Sequence, residues 1–162
     1  MSKARNNKLD KLAVKLKSIK AKDIMTKNVI STHEDATLAE VAEILIKRRI
    51  SGMPVKNKKG KIIGVITTND LFIVMDMLES GDIVEDGRIG AFNPTVKFAM
   101  STDFVHIKKN TTLFDIIALL KYKNVHTLPV FEGRKVSGVI GRRDILKHFY
   151  SAVRQIKQAT AK

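Results

Sequence analysis

The eight residues Gly64-Val65-Ile66-Thr67-Thr68-Asn69-Asp70-Leu71 return in altered form as Gly138-Val139-Ile140-Gly141-Arg142-Arg143-Asp144-Ile145. In each block a glycine opens a short apolar run, a polar turn follows, and an aspartate leads into a new apolar periodicity. That periodicity runs through Leu71, Val74, Met75 and Leu78 in the first copy and through Ile145, Phe149 and Val153 in the second. An apolar run of this length reads as a buried strand, and an Asp ahead of residues spaced three and four apart reads as a helix start. A strand, a turn and a helix are therefore repeated as one block.

Outward from these blocks, the repetition covers most of the chain. A shift of 75 residues sets Lys22 on Lys97, Met25 on Met100, Thr26 on Ser101, Thr37-Leu38 on Thr112-Leu113, Ile50 on Val125 and Pro54-Val55 on Pro129-Val130. After a one-residue deletion Lys61 falls on Lys135 and the two quoted blocks align. Thr37 with Glu40, and Thr112 with Asp115, have capping-box spacing ahead of amphipathic stretches through Leu38, Val41 and Leu45 and through Leu113, Ile116, Ile117 and Leu120. Residues 50–55 and 125–130 read as strands, followed by turns at 57–60 and 132–133 and second strands at 62–66 and 136–140. With the extended piece Val29-Ile30 in front, each copy reads β-α-β-β-α, an α+β fold class. A unit of about 55 residues cannot bury both faces of its sheet alone, so the copies are expected to pack on one another.

The chain has 162 residues, 44% of them hydrophobic, enough for a real core. It contains no cysteine, which excludes disulfides and thiolate metal sites and suits a cytoplasmic setting. Its apolar stretches are too short for a membrane span or a signal peptide. Of the formal charge of +14, residues 1–20 supply seven basic groups against Asp10, and residues 142–162 supply six against Asp144. Such ends read first as solvated, solubility-conferring faces; nonspecific nucleic-acid binding or partner docking through them is the second reading. Leu9, Leu12, Leu16 and Ile19 form one helical stripe, suited to the chain's own domain, a partner or a membrane surface. Residues 76–96, with Asp76, Glu79, Asp82, Glu85 and Asp86 among Gly81, Gly87 and Gly90, read as a helix end and an exposed loop. The expected organisation is a basic amphipathic helix over 1–20, repeats over 21–79 and 97–150, an acidic connection over 80–96, and a basic helical extension over 151–162.

Asp23-Ile24-Met25-Thr26, Ser51-Gly52-Met53-Pro54-Val55 and the block 64–71 look like the three signature stretches of a CBS (cystathionine β-synthase-type) domain. Ala99-Met100-Ser101, His126-Thr127-Leu128-Pro129-Val130 and the block 138–145 repeat them. The chain thus resembles a stand-alone tandem CBS pair, or Bateman module, over roughly residues 21–150. The resemblance implies two repeats packed sheet to sheet about a pseudo-two-fold axis, with clefts that receive AMP, ADP, ATP or S-adenosylmethionine as a regulatory ligand. By the same resemblance one cleft joins Ile66, Thr67 and Asp70 to Phe98, Ala99 and the strand Val105, His106 and Ile107. The other joins Ile140, Gly141 and Asp144 to Asp23, Ile24, Ile30, Ser31 and Thr32. The family also implies a homodimer, with Phe72, Val74 and Met75 and with Ile145, Phe149 and Val153 as candidate contacts, and a protein partner regulated in trans.

The residue chemistry is compatible with this. A carboxylate accepts from ribose hydroxyls, a hydroxyl and free amides at a helix start suit phosphate, and apolar strand residues flank a purine. Asp70 and Asp144 have a plainer reading as helix N-caps. His106 and His126 are candidates for phosphate contact or ordinary half-buried strand residues. Gly141 lacks the hydroxyl of Thr67, so the clefts are expected to be unequal unless Arg142 or Arg143 turns toward a phosphate. No histidine pair has metal-ligand spacing with a carboxylate, and no nucleophile elbow or Walker-type loop is present, so the expectation is a binding module without catalytic residues, metal or required cofactor.

Overall fold

Thr37 ends an extended segment and opens a helix because its side chain replaces a missing intrahelical acceptor. Its hydroxyl accepts from the Glu40 N–H at 3.4 Å, while the Glu40 carboxylate accepts from the Thr37 N–H at 2.7 Å and from its hydroxyl at 2.9 Å. These donors, the backbone N–H first, hold the exposed Glu40 carboxyl below the usual carboxylate range. Thr112 repeats the device, accepting from the Asp115 N–H at 3.2 Å and donating to its carboxylate at 2.7 Å.

The structure, a computed structural model, describes residues 2–80, 84–85, 88–89, 93–123 and 125–159. In chain order the elements are α1 (Ser2–Ser18), α2 (Ala21–Ile24), β1 (Thr32–His33), α3 (Leu38–Arg48), β2 (Gly52–Lys56), β3 (Ile62–Thr67) and α4 (Thr68–Ser80). They continue with β4 (Val84–Glu85), β5 (Arg88–Ile89), α5 (Val96–Ala99), β6 (Ile107–Lys108), α6 (Leu113–Tyr122), β7 (Thr127–Glu132), β8 (Lys135–Gly141) and α7 (Arg142–Ala159). The β4–β5 ladder lies where the sequence suggests a loop; Gly81, Asp82, Asp86, Gly87 and Gly90 of that segment, and Lys162 at the basic end, lie outside the described residues.

Two three-stranded sheets result, ordered β1-β2-β3 and β6-β7-β8, each with one parallel and one antiparallel pairing. The register repeats too, with Pro54 opposite Val65 and Pro129 opposite Val139. A proline in a middle strand normally forfeits a ladder bond. Here β1 joins β2 only from Val55, and β6 joins β7 only from Val130, so neither proline faces a third strand.

The compact units do not follow the repeats. One is Val29–Phe104; the other combines Met1–Asn28 with Val105–Lys162. The segment leading into each repeat is therefore built into the unit of the other. Ser101 pairs with Val65 through two backbone bonds of 3.0 Å, and Val96 N–H donates to the Ala36 carbonyl at 2.8 Å. Equivalently, Thr26 pairs with Val139 at 2.9 and 3.0 Å, and Ala21 N–H donates to the Thr111 carbonyl at 2.8 Å.

Each unit has its own core. Met53, Val55, Ile66, Val41 and Val96 are fully buried in one, and Leu113, Ile116, Leu128, Val130 and Ile140 in the other. Three residues of the amphipathic stripe belong to the second core: Leu16 is 4% exposed and Leu12 and Ile19 pack beside it, with α1 lying against α6 and α7, while the side chain of Leu9 lies outside what the structure describes. Of the three surfaces open to that stripe, these residues take their own domain. The candidate dimer residues need correction. Val74 and Ile145 are buried in their own cores and Phe149 packs on one, because α4 and α7 turn these positions inward. Phe72 and Met75, at 67% and 55% exposure, stay at the surface, as do Ile73, Leu146 and Tyr150.

The exchanged segments approach the sheets closely at glycine. A Cβ added to Gly138 would lie 2.5 Å from Met25 Sδ, and one added to Gly64 would lie 2.9 Å from the Ser101 carbonyl oxygen. Gly138→Ala is expected to cost about 1–3 kcal/mol by overpacking, read from urea denaturation. Combining it with Met25→Ala should recover part of that loss, since the obstacle is a side chain. Gly64→Ala should not be rescued by Met100→Ala, because a backbone oxygen obstructs it. Equal behaviour of the two pairs would contradict this packing.

Candidate functional site

In the unit Val29–Phe104, β3 ends at Thr67 and α4 begins at once at Thr68. Thr67 therefore stands in the capping position, and Asp70 is the third residue of the helix. The reading of Asp70 as the cap is thus corrected. Its Oδ2 accepts from the Thr67 N–H at 2.7 Å and from the Thr67 hydroxyl at 2.6 Å, while its own N–H donates to that hydroxyl at 3.4 Å. Only one carboxylate oxygen is used; among the described residues Asp70 Oδ1 has no partner. The same bonding closes the exposed Thr37–Glu40 cap, so hydrogen bonds alone describe a helix start. The difference lies in the surroundings. Thr67 and Asp70 are half-buried, Gly52 pairs with Thr67, and Thr68 N–H donates to the Ser51 carbonyl at 2.9 Å. An acceptor oxygen, a hydroxyl and the first turn of a helix of 13 residues meet there.

The matching turn in the other unit is simpler. β8 ends at Gly141, α7 begins at Arg142, and the Gly141 N–H donates to Asp144 Oδ2 at 2.8 Å. Asp144 is likewise the third helical residue and not the cap. No hydroxyl contributes, and Arg142 and Arg143 are exposed on the first turn of the helix. A Cβ at Gly141 would meet Asp144 Oδ2 at 3.7 Å and the His126 carbonyl at 3.9 Å, ordinary contacts, so space does not demand glycine.

The remaining candidates divide between the units. Phe98 and Ala99 on α5 share a unit with Ile66, Thr67 and Asp70, and α5 lies against α4. Asp23 and Ile24 on α2 share a unit with Ile140, Gly141 and Asp144, and α2 lies against β8 and α7. Ile30, Ser31 and Thr32 fall in the unit that contains Thr67, and Val105, His106 and Ile107 in the unit that contains Gly141, with β1 and β6 each paired within its own repeat. Ile24, Ile66, Ile107 and Ile140 lie in the cores at 0–4% exposure, so their side chains are committed to packing. Asp23 accepts the Lys20 N–H at 2.9 Å. The His106 ring meets Phe131 edge to face at 5.0 Å. Ser51 also lies beside the Thr67 turn; the shift of 75 residues that equates it with the candidate His126 is the sequence signal that points to it. Among the described residues no group of His, Asp or Glu gathers as a metal site.

Because Gly141 has room for a side chain, Gly141→Thr should supply the missing hydroxyl and restrict the unfolded chain. The expected gain is about 0.5–1 kcal/mol in urea denaturation, whereas Thr67→Ala should lose about 1 kcal/mol. A loss from Gly141→Thr would contradict the geometry of this turn.

The comparisons with known proteins agree with this architecture. A family model described as CBS domain matches residues 21–76 and again 96–151. An uncharacterised protein of Methanocaldococcus jannaschii, MJ1426, is 28% identical over 163 residues, covering 86% of this chain and 96% of its own. Another from that organism, MJ1232, is 29% identical over 131 residues; the match covers 80% of this chain, which spans 39% of that longer protein. Among solved structures, the CBS domain pair of protein MJ0100, in complex with 5'-methylthioadenosine and S-adenosyl-L-methionine, has 23% identity and a TM-score of 0.68, covering 82% of this chain and 97% of its own. CBSX2 in complex with AMP has 22% identity and a TM-score of 0.67, covering 86% and 99%. With the repeated strand-to-helix turn, the glycine approached by an exchanged segment and the family match in both copies, the chain belongs to the CBS domain family and carries two CBS domains.

Proposed function

We propose that this chain is a regulatory module, not an enzyme, that binds an adenosine-containing ligand and signals to a protein partner in trans. The ligand class is AMP, ADP, ATP or S-adenosylmethionine, taken chiefly at the Thr67–Asp70 turn. The observation that carries this reading is the unspent Oδ1 of Asp70 beside a half-buried hydroxyl at the start of α4. A carboxylate oxygen in that position accepts from a ribose hydroxyl, and the helix start favours phosphate. Phe98, 41% exposed in the same unit, offers an aromatic face for a purine. The adenosine ligands of MJ0100 and CBSX2 support the same class. No cofactor is required by this reading, and its setting is the cytoplasm. Among the described residues no helix is long and apolar enough to cross a membrane.

At the second turn a hydroxyl is missing and Arg142 and Arg143 add charge, so this site should prefer the more highly charged nucleotides. The exposed α4 residues Phe72, Ile73 and Met75 supply an apolar face for a homodimer.

Calorimetric titration with the four ligands should give at least one dissociation constant in the micromolar range, roughly 7–8 kcal/mol. Asp70→Ala should weaken AMP binding more than Asp144→Ala does. Silence from all four ligands removes the reading; equal losses from both substitutions remove the inequality of the turns. Light scattering should give a mass about twice the 18.1 kDa of one chain, and a mass near 18.1 kDa at all concentrations would exclude the dimer.

A further inference from the structure

The division into units sorts the charge in a way the linear sequence hides. The unit of Met1–Asn28 and Val105–Lys162 holds 21 Lys and Arg against five Asp and Glu, a net of +16. Val29–Phe104 holds nine against 11, a net of −2. Both basic ends of the chain thus belong to one unit, and α1 lies against α7.

Along α7 the exposed residues Arg143, Lys147, Tyr150, Arg154 and Lys157 follow one another at spacings of four, three, four and three. That spacing puts them in one row on the helix, about 21 Å long at the usual rise. Within α7 the only acidic residue is Asp144, which is not part of the row. Like charges one turn apart repel, and a repeating polyanion relieves that repulsion. Lys15 of α1 donates to Gln155, adding a cation beside the row. Tyr150, in its middle, is 55% exposed, and its ring is braced edge to face by Phe149 at 5.3 Å, which itself packs on the core.

We propose that this row binds single-stranded nucleic acid, the cations tracking successive phosphates and Tyr150 stacking on a base. A protein partner would present mixed charge to the row and leave cations unmatched, and a duplex keeps its bases stacked and offers Tyr150 nothing. A cationic track with a fixed aromatic is the arrangement that suits an unpaired strand and reads little sequence. Adenosine-ligand binding is not needed for this proposal.

The test is fluorescence anisotropy of the full chain with a labelled 20-nucleotide oligo(dT), at salt from 50 to 200 mM. With about four phosphate contacts, affinity should fall about fiftyfold across that range. Arg154→Gln with Lys157→Gln should weaken binding about tenfold and flatten the salt dependence. Tyr150→Ala should weaken it about fivefold or more while Tyr150→Phe retains it. Lys59→Gln with Lys61→Gln, on the other unit, should change it less than about twofold. All these side chains but Tyr150 are exposed cations, and unchanged thermal melts establish that the variants fold. Four results would each overturn the proposal: no binding at 50 mM salt, indifference to the α7 substitutions, equal affinity for a duplex of the same length, or equal affinity for polyglutamate or for anionic vesicles.

Discussion

The rest of the structure depends on backbone pairing between β3 and Ser101, and between β8 and Thr26. A short sheet of three strands leaves the outer edge of its last strand open, and an open edge is both unsatisfied and adhesive. The chain closes each edge with the segment that leads into the other repeat. At Gly64 the Ser101 carbonyl oxygen of the closing segment leaves no room for a side chain, and at Gly138 the Met25 side chain of the other closing segment fills that space, so a glycine opens the apolar run in both copies. The same segments carry α2 and α5 onto the helices of the unit they join. Edge, glycine and short helix are therefore consequences of one constraint.

The two candidate turns sit one step further along the same strands. β3 and β8 end where α4 and α7 start, with no connecting loop, so the geometry at Thr67 and Gly141 is set by rigid elements on both sides. A carboxylate at the third helical position satisfies the first amide and keeps an oxygen in reserve. At Thr67 a hydroxyl strengthens that arrangement, and at Gly141 only the amide remains. Two copies of one device have thus diverged in chemistry while retaining their backbone.

Much of this was legible in the sequence, because capping boxes, strand runs and the repeat itself depend on near neighbours. The helices at Leu38 and Leu113 begin where Thr37 and Thr112 announce them. What the sequence hid is spatial partnership. A shift of 75 residues equates Met25 with Met100, yet Met25 packs on Gly138 and Met100 on Gly64, across the repeats. No periodicity encodes that exchange, and the sequence does not show that the strand residues near Ile30 share a unit with Thr67 and those near Val105 with Gly141. Helix phase was the other difficulty. An apolar face wide enough to include Val74 and Ile145 does not say which members turn inward, and packing decided it.

The exchange also orders the events of folding. Val29–Phe104 is contiguous, so every contact of its core is available once that stretch has been made. The other unit needs Met1–Asn28, synthesised before that stretch, and Val105–Lys162, synthesised after it. On the ribosome the leading segment with its helix α1 must wait, with Leu12 and Leu16 uncovered, until α6, β8 and α7 emerge to receive it. Closing that long loop is the slow and entropically costly step of the fold. The basic residues among which those leucines lie keep the waiting helix soluble in the interval.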